Sequence, residues 1–231
     1  MIHIENLSKV YNGVRVLGVE SLDIKKGESV GLVGNNGAGK TTLFSLMLDL
    51  IQPSTGEVSI NGVKVNESER WKDFTGCFVD ESFLIGYLTA EEYFYFLGEL
   101  QGLSKQDVDA QVGTYEEFFN GEILGKKKFI RDLSKGNQKK VGIVGALIGK
   151  PELLILDEPF ANLDPSSQFR LKNMIRGLME KKDLTILISS HDLSHTVEIS
   201  DRIIALNKGV VEKDLVTSKE TLEELTRYFS V

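Results

Sequence analysis

Residues Gly34-Asn-Asn-Gly-Ala-Gly-Lys40-Thr41 constrain this chain more than any other stretch. They fit the pattern G-x-x-x-x-G-K-[ST]. The short apolar run Ser29-Val-Gly-Leu-Val33 precedes them, and Lys40–Leu50 follows with Leu43, Phe44, Leu46, Met47 and Leu50 at helical spacing. The reading is a buried strand, a glycine turn and a helix. Glycines let such a turn curl until successive N–H groups converge, and the helix adds the positive end of its dipole. That is a phosphate cradle, with Asn36, Gly37, Ala38, Gly39, Lys40, Thr41 and Thr42 as its lining. Lys40 reaches the β- and γ-phosphates of a nucleotide, and the Thr41 hydroxyl suits Mg²⁺. A glycine-rich turn carrying a surface lysine is the competing reading; the strand before it and the helix after it weigh against that.

A second run, Leu153-Leu-Ile-Leu156, reads as a buried strand that ends in Asp157-Glu158. Beside a phosphate loop, Asp157 is suited to hold Mg²⁺ and Glu158 to orient an attacking water, because phosphoryl transfer needs a placed nucleophile and charge neutralisation. Without the loop the pair would read as acidic residues at a solvated strand end. A third apolar run, Leu184–Ile188, leads to Ser189-Ser190-His191.

Between these landmarks, Val58–Ile60 and Val63–Val65 flank Asn61-Gly62 as strands around a tight turn, and Gly76–Val79 reads as a strand. From about Thr89 to Gly149 strand signals fade. Thr89, Glu91 and Glu92 mark a helix start before Tyr93-Phe-Tyr-Phe-Leu97, and further helices are expected over Lys105–Phe119 and Asn137–Ile148. Pro165–Lys182 reads as a helix with Pro in its first turn, and Thr221–Ser230 as a short terminal helix. Arg202–Leu206 and Val210–Val211 read as strands around Asn207-Lys-Gly209. The expected fold is α/β: a P-loop NTPase core with a mainly parallel sheet, an antiparallel β subdomain and an inserted helical subdomain. The core takes about 1–80 and 150–231, the helical part about 82–149. Ligands on such sheets bind beyond the carboxyl ends of the strands.

These motifs together resemble the ATP-binding cassette ATPases over nearly the whole chain. Leu133-Ser134-Lys135-Gly136-Asn137 looks like the family's signature motif, about twenty residues ahead of Asp157-Glu158. The resemblance implies that Ser134, Gly136 and Asn137 meet ATP held by a second subunit's phosphate loop, so that two ATP molecules lie between two subunits. It implies further that Tyr11 stacks on adenine with Val16 beside it. Asp164 of Asn162-Leu-Asp164 would lie in the loop crossing the dimer interface, and His191 would contact the γ-phosphate. Implied ligands are ATP and Mg²⁺. Implied partners are a second ATPase subunit, a homodimer by preference, and an integral membrane permease carried on a separate chain.

The sequence departs from the family at two places. A Gln common in the loop leading to the helical part is replaced by Asp80, with Glu81 next. An acidic side chain there can serve Mg²⁺ or place water but cannot donate an amide hydrogen bond. In the signature, Lys135 replaces a small residue and Asn137 replaces Gln. Such Lys-Gly-Asn signatures resemble those of bacterial transporters with a separate permease, often exporters.

Composition decides what remains. A net charge of −7, with basic residues dispersed apart from Lys126-Lys127-Lys128 and Lys139-Lys140, argues against a nucleic-acid partner. Both short basic runs are expected to be solvated surface. No run approaches a membrane span, no secretory leader is read at Met1–Glu5, and one cysteine, Cys77, precludes an internal disulfide framework. The expected place is cytoplasmic, peripheral on the inner face of the membrane. A non-transport member of the family, acting in DNA repair or on ribosomes, and an ATP sensor without turnover stay as competing functions. The missing coiled-coil insertion and second cassette count against the former. Intact Lys40, Asp157, Glu158 and His191 count against the latter. His3 and His195 are expected to be surface or packing residues.

Overall fold

A computed structural model describes residues 1–230. In chain order it contains β1 (Ile2–Tyr11), β2 (Val14–Ile24), β3 (Ser29–Val33), α1 (Lys40–Met47), β4 (Thr55–Ile60), β5 (Val63–Lys64), β6 (Thr75–Phe78), α2 (Ala90–Leu100), α3 (Lys105–Gly113), α4 (Glu116–Phe119) and α5 (Lys135–Gly145). There follow β7 (Leu153–Leu156), α6 (Pro165–Met179), β8 (Thr185–Ser190), α7 (Leu193–Glu198), β9 (Arg202–Asn207), β10 (Val210–Val216) and α8 (Thr221–Phe229).

All ten strands join one sheet in the order β5-β4-β1-β2-β10-β9-β3-β8-β7-β6. The run β9-β3-β8-β7-β6 is parallel throughout. The other half is antiparallel. One parallel pairing, Val210 with Gly18, links β10 of that half to β2. The sequence explains the division. Every residue of β3, β7 and β8 is buried, as strands covered on both faces require. In β1, Ile2 and Ile4 turn inward while His3 and Glu5 face water. Asn12 and Gly13, both with positive φ, close β1 onto β2 in a two-residue turn.

Two large cores lie on opposite faces of the sheet, assigned by the alternation along β7 and β8, and a third, smaller cluster joins Val33, Ile203 and Ala205 to Leu225 of α8. Leu153, Ile155 and Leu187 point to the face covered by α1, where Leu43, Phe44, Leu46 and Met47 pack with Ile2, Ile4 and Leu32. Leu154, Leu156, Ile186 and Ile188 point to the other face, toward Val141 and Ile143 of α5 and Leu171 and Ile175 of α6. The stretch between β6 and β7 holds α2 to α5. Thr89 starts α2 with a capping box that includes Glu92. Phe94 is buried there and Phe96 is 40% exposed, so the Tyr93–Leu97 cluster serves mainly as packing.

Several expectations need correction. The helix expected over Lys105–Phe119 is two, α3 and α4: the chain turns at Thr114, whose hydroxyl donates to the Gln111 carbonyl, and so buries Phe118 and Phe119. β10 runs to Val216 rather than Val211, and β1 and β2 are the longest strands although no motif announces them. The clearest reversal concerns Lys139-Lys140. Lys126, Lys127 and Lys128 are exposed as expected, but Lys139 and Lys140 are buried, at 5% and 1% exposure. α5 is enclosed around nearly its whole circumference, so its lysines must find partners inside: Lys140 pairs with Glu122 at 3.2 Å, and Lys139 with Glu81 at 3.5 Å.

Candidate functional site

The carboxyl ends of β3, β7 and β8 lie side by side, with Val33 in register with Ser190 and Leu156 with Ile188. The loop after β3 curls over this edge. Its path needs glycine at Gly39, whose φ of 106° is left-handed, and at Gly34, where a side chain would collide with the Leu206 carbonyl. The Lys208-Gly209 turn props the loop from behind. Its Gly209 amide donates to the Ala38 carbonyl at 2.9 Å, and its Gly209 carbonyl accepts from Gly18 of β2 at 2.8 Å. Asn35, Asn36 and Gly37 are exposed at the rim.

No side chain caps the amino end of α1. The first N–H groups of a helix have no partners within it, so those of Lys40, Thr41 and Thr42 remain as donors facing the loop. Lys40 is 6% exposed and donates to the Gly34 carbonyl at 2.7 Å, with the Asn35 carbonyl at 3.4 Å. Its ammonium also stands 3.3 Å from Glu158 Oε1. Convergent amides, a helix end and a buried ammonium form a receptor for an anion with several oxygens.

The Thr41 hydroxyl donates to Asp157 Oδ2 at 2.6 Å, joining α1 to the end of β7. Asp157 is buried, and burial raises its carboxyl above the ordinary range against the pull of bonds from Ser189 and Thr41. Hydroxyl and carboxylate together supply two hard oxygens. Too few for a cation on their own, they fit Mg²⁺ arriving with phosphate oxygens, the usual way this ion is held. Among the described residues no cluster of three or more His, Cys, Asp or Glu could hold a metal alone.

Glu158 sits in the left-handed region, φ 45°. Such a backbone persists in a non-glycine residue only where its surroundings enforce it. Here its N–H donates to Ser189 Oγ at 2.9 Å and its carbonyl accepts from Lys139 Nζ at 2.8 Å. Ser189 in turn donates to Asp157 Oδ1. The carboxylate meets His191, with Nδ1 2.8 Å from Oε2, and Lys40 through its other oxygen. A carboxylate in its ionised form only accepts, and His191 Nδ1 is then the donor of this bond. Ser189 and Lys139 escaped the sequence reading; the small polar pair before His191 was the one signal for Ser189.

The other expected residues lie farther out. Tyr11 is 47% exposed at the end of β1 with Lys9 over its ring, and Val16 is half-buried with its carbonyl against Gly39. Ser134 caps α5 by accepting from the Asn137 amide at 3.2 Å. Gly136 packs beside the Asn162 carbonyl, where a side chain would be tight. Asp164 caps α6, and its bonds from Ser166 and Ser167 hold its carboxyl below the ordinary range. Asp80 starts the short helical turn Glu81–Phe83 by accepting from the Ser82 amide at 2.8 Å. Ser82, with Lys135 and Lys139 nearby, lowers its carboxyl too. No hydrogen bond among the described residues joins Asp80 to Thr41 or Asp157. His195 stacks on Phe160 at 5.1 Å and His3 pairs with Asp23 on the surface, both outside the site.

The sequence profile described as "ABC transporter" matches residues 17–161. A profile described as "AAA domain, putative AbiEii toxin, Type IV TA system" matches residues 129–197. An uncharacterised ABC transporter ATP-binding protein of Bacillus subtilis, YhaQ, is 35% identical over 99% of this chain and 74% of its own. The bacitracin transport ATP-binding protein BcrA of Enterococcus faecalis is 34% identical over 95% of this chain and 70% of its own. Among solved structures, a dimeric post-hydrolysis state of the ATP-binding cassette MJ0796 bound to ADP and Pi superposes with a TM-score of 0.85. It is 25% identical and covers 94% of this chain and 99% of the other. An ATP-binding subunit of an ABC transporter superposes with a TM-score of 0.83, at 29% identity over 100% of this chain and 93% of the other.

Proposed function

This chain belongs to the ABC transporter family and is an ATP-binding, ATP-hydrolysing subunit, and we propose that it works as a homodimer that couples ATP-driven closure to export through a separate membrane permease. The observation that carries the hydrolytic part of this reading is the meeting of Lys40, Glu158 and His191 beside the Thr41–Asp157 pair at one sheet edge.

The loop amides and Lys40 bind the β- and γ-phosphates of ATP. Tyr11 offers its exposed ring to adenine and Val16 its half-buried side chain. Glu158 accepts a proton from the water that attacks the γ-phosphorus while the bond from that phosphorus to the β,γ-bridging oxygen breaks and ADP leaves with the electron pair; His191 holds the carboxylate in line and reaches the transferred phosphoryl group. Thr41 and Asp157 would hold Mg²⁺, which would neutralise charge on the phosphates. Asp80, at the mouth of the next loop, would add a negative charge toward that ion. Ser134, Gly136 and Asn137 lie at the amino end of α5 that Ser134 caps, and face a second copy's ATP, with Asp164 beside them. The dimeric state of the relative bound to ADP and Pi supports this arrangement.

Beyond Asp80 the chain exposes Phe83, Ile85 and Tyr87, and Arg131 lies over the rings of Tyr87 and Phe129. This apolar patch is where we place the membrane partner. Among the described residues no helix is long and apolar enough to cross a membrane. The export direction rests on the Lys135-Gly136-Asn137 resemblance. Purification of the chain from detergent-solubilised membranes of its host tests the reading: a stoichiometric multi-span protein is expected. Recovery with soluble proteins or nucleic acid alone, with complex loss in detergent controlled, would overturn it. Substrate accumulation inside inverted vesicles marks export, and efflux from them would reverse the direction.

A further inference from the structure

Lys139 is a buried cation that the reaction as described does not use. It stands on the second turn of α5, the helix begun by Ser134, and its side chain runs inward rather than to water. Three groups meet its ammonium. The Glu158 carbonyl accepts from it at 2.8 Å. Glu81 Oε1 lies at 3.5 Å. The Phe78 ring centroid is 5.6 Å away. Glu81 Oε1 is itself buried and has no hydrogen-bond partner, so this ion pair is what compensates it. Lys139 therefore ties together α5, the loop that starts at Asp80, and the backbone of Glu158.

The tie matters because of the Glu158 conformation. A left-handed glutamate leaves its preferred well, and the direction of its carboxylate follows the orientation of the two flanking peptides. Ser189 fixes the amide side and Lys139 fixes the carbonyl side. The lysine is a charged donor in a water-poor setting, which makes its bond stronger than one between neutral groups. Its position also depends on Glu81, one residue beyond Asp80 in the loop that leads to the exposed Phe83 and Tyr87. Through these two contacts a shift of that loop would reach the lysine and, through it, the Glu158 peptide.

We propose that Lys139 is a positioning residue for ATP hydrolysis, fixing the Glu158 backbone and, through its ion pair with Glu81, linking the aim of the Glu158 carboxylate to the loop at 80–87. This rests on the reading of Glu158 as the base.

The test is steady-state ATPase kinetics of the full chain with Lys139→Met, Lys139→Arg, Glu81→Ala and Glu158→Gln. Lys139→Met should lower kcat by about 10- to 100-fold with KM for ATP little changed, since displacement of a reacting group by about 1 Å has that scale of effect. Lys139→Arg, which keeps both charge and donor, should restore most of kcat. Lys139→Met added to Glu158→Gln should cost little more than Glu158→Gln alone, because the lysine acts through that residue. Unchanged kcat in Lys139→Met, an equal loss in the Glu158→Gln background, or no rescue by arginine would overturn the proposal. Should Lys139→Met fail to fold, Glu81→Ala decides: kcat reduced with KM preserved supports the link, and wild-type kcat removes it. If Glu158→Gln itself turns over normally, the reading of Glu158 as the base falls, and that result is distinct from a failure at Lys139 alone.

Discussion

His191 and Glu158 meet twice: the ring Nδ1 lies 2.8 Å from Glu158 Oε2, and the His191 amide points at the same oxygen from 3.4 Å. One comes from the end of β8 and the other from the end of β7, so the pair exists only because these strands are neighbours in register. Replacing His191 by Ala should lower kcat by about 100-fold, the ordinary scale for a group that aids proton transfer. ATP binding should change little, since Lys40 and the loop amides remain. Stopped-flow nucleotide binding beside steady-state turnover separates the two effects.

Glu158→Gln should reduce hydrolysis by about 100-fold or more while leaving the phosphate loop intact. Trapped ATP should then hold two copies together. Size-exclusion chromatography with light scattering at saturating ATP and Mg²⁺ reads this directly, and a strictly monomeric variant would count against dimer closure.

Ser189 joins both acidic residues, accepting from the Glu158 amide and donating to Asp157. Ser189→Ala leaves a partly buried amide without its acceptor, a cost of about 1–3 kcal/mol in stability. Turnover should fall as well, by about tenfold or more as the two carboxylates lose their spacing. Thermal unfolding and ATPase assays on the same preparation check both.

Asp80 offers a separable test, because Asn caps a helical turn about as well as Asp but carries no charge. Asp80→Asn should preserve folding and raise the Mg²⁺ concentration needed for half-maximal turnover. An unchanged Mg²⁺ titration would leave Asp80 as the cap of its turn only.

Gly76 of β6 lies against the Ala146 carbonyl so closely that any side chain would strike backbone. Gly76→Ala should destabilise the chain by about 1–3 kcal/mol or more, since neither partner is a side chain that can swing aside. Urea unfolding monitored at Trp71 would register it.

The strand ends and the phosphate loop were legible because their signals are local: apolar runs of four or five residues closed by glycine or by acid. What escaped is set by tertiary context. Two adjacent lysines resemble a solvated helix face, and nothing at 139–140 states that Glu81 and Glu122 will meet them from other segments. Ser189 gains its role only when β8 pairs with β7. β1 and β2 pass unnoticed because their alternation changes phase partway, from Ile2 and Ile4 to Leu7 after the left-handed Asn6, and from Leu17 and Val19 to Leu22 and Ile24. The break at Thr114 is a choice between two helical paths, decided by where Phe118 and Phe119 can be buried.

Glu158 holds a backbone shape that glycine or asparagine would adopt with less strain. Natural selection for folding alone would therefore favour those residues at this point. Neither of them would bring a carboxylate between Lys40 and His191, so at this point the chain accepts a strained backbone in exchange for the charge that the glutamate places there.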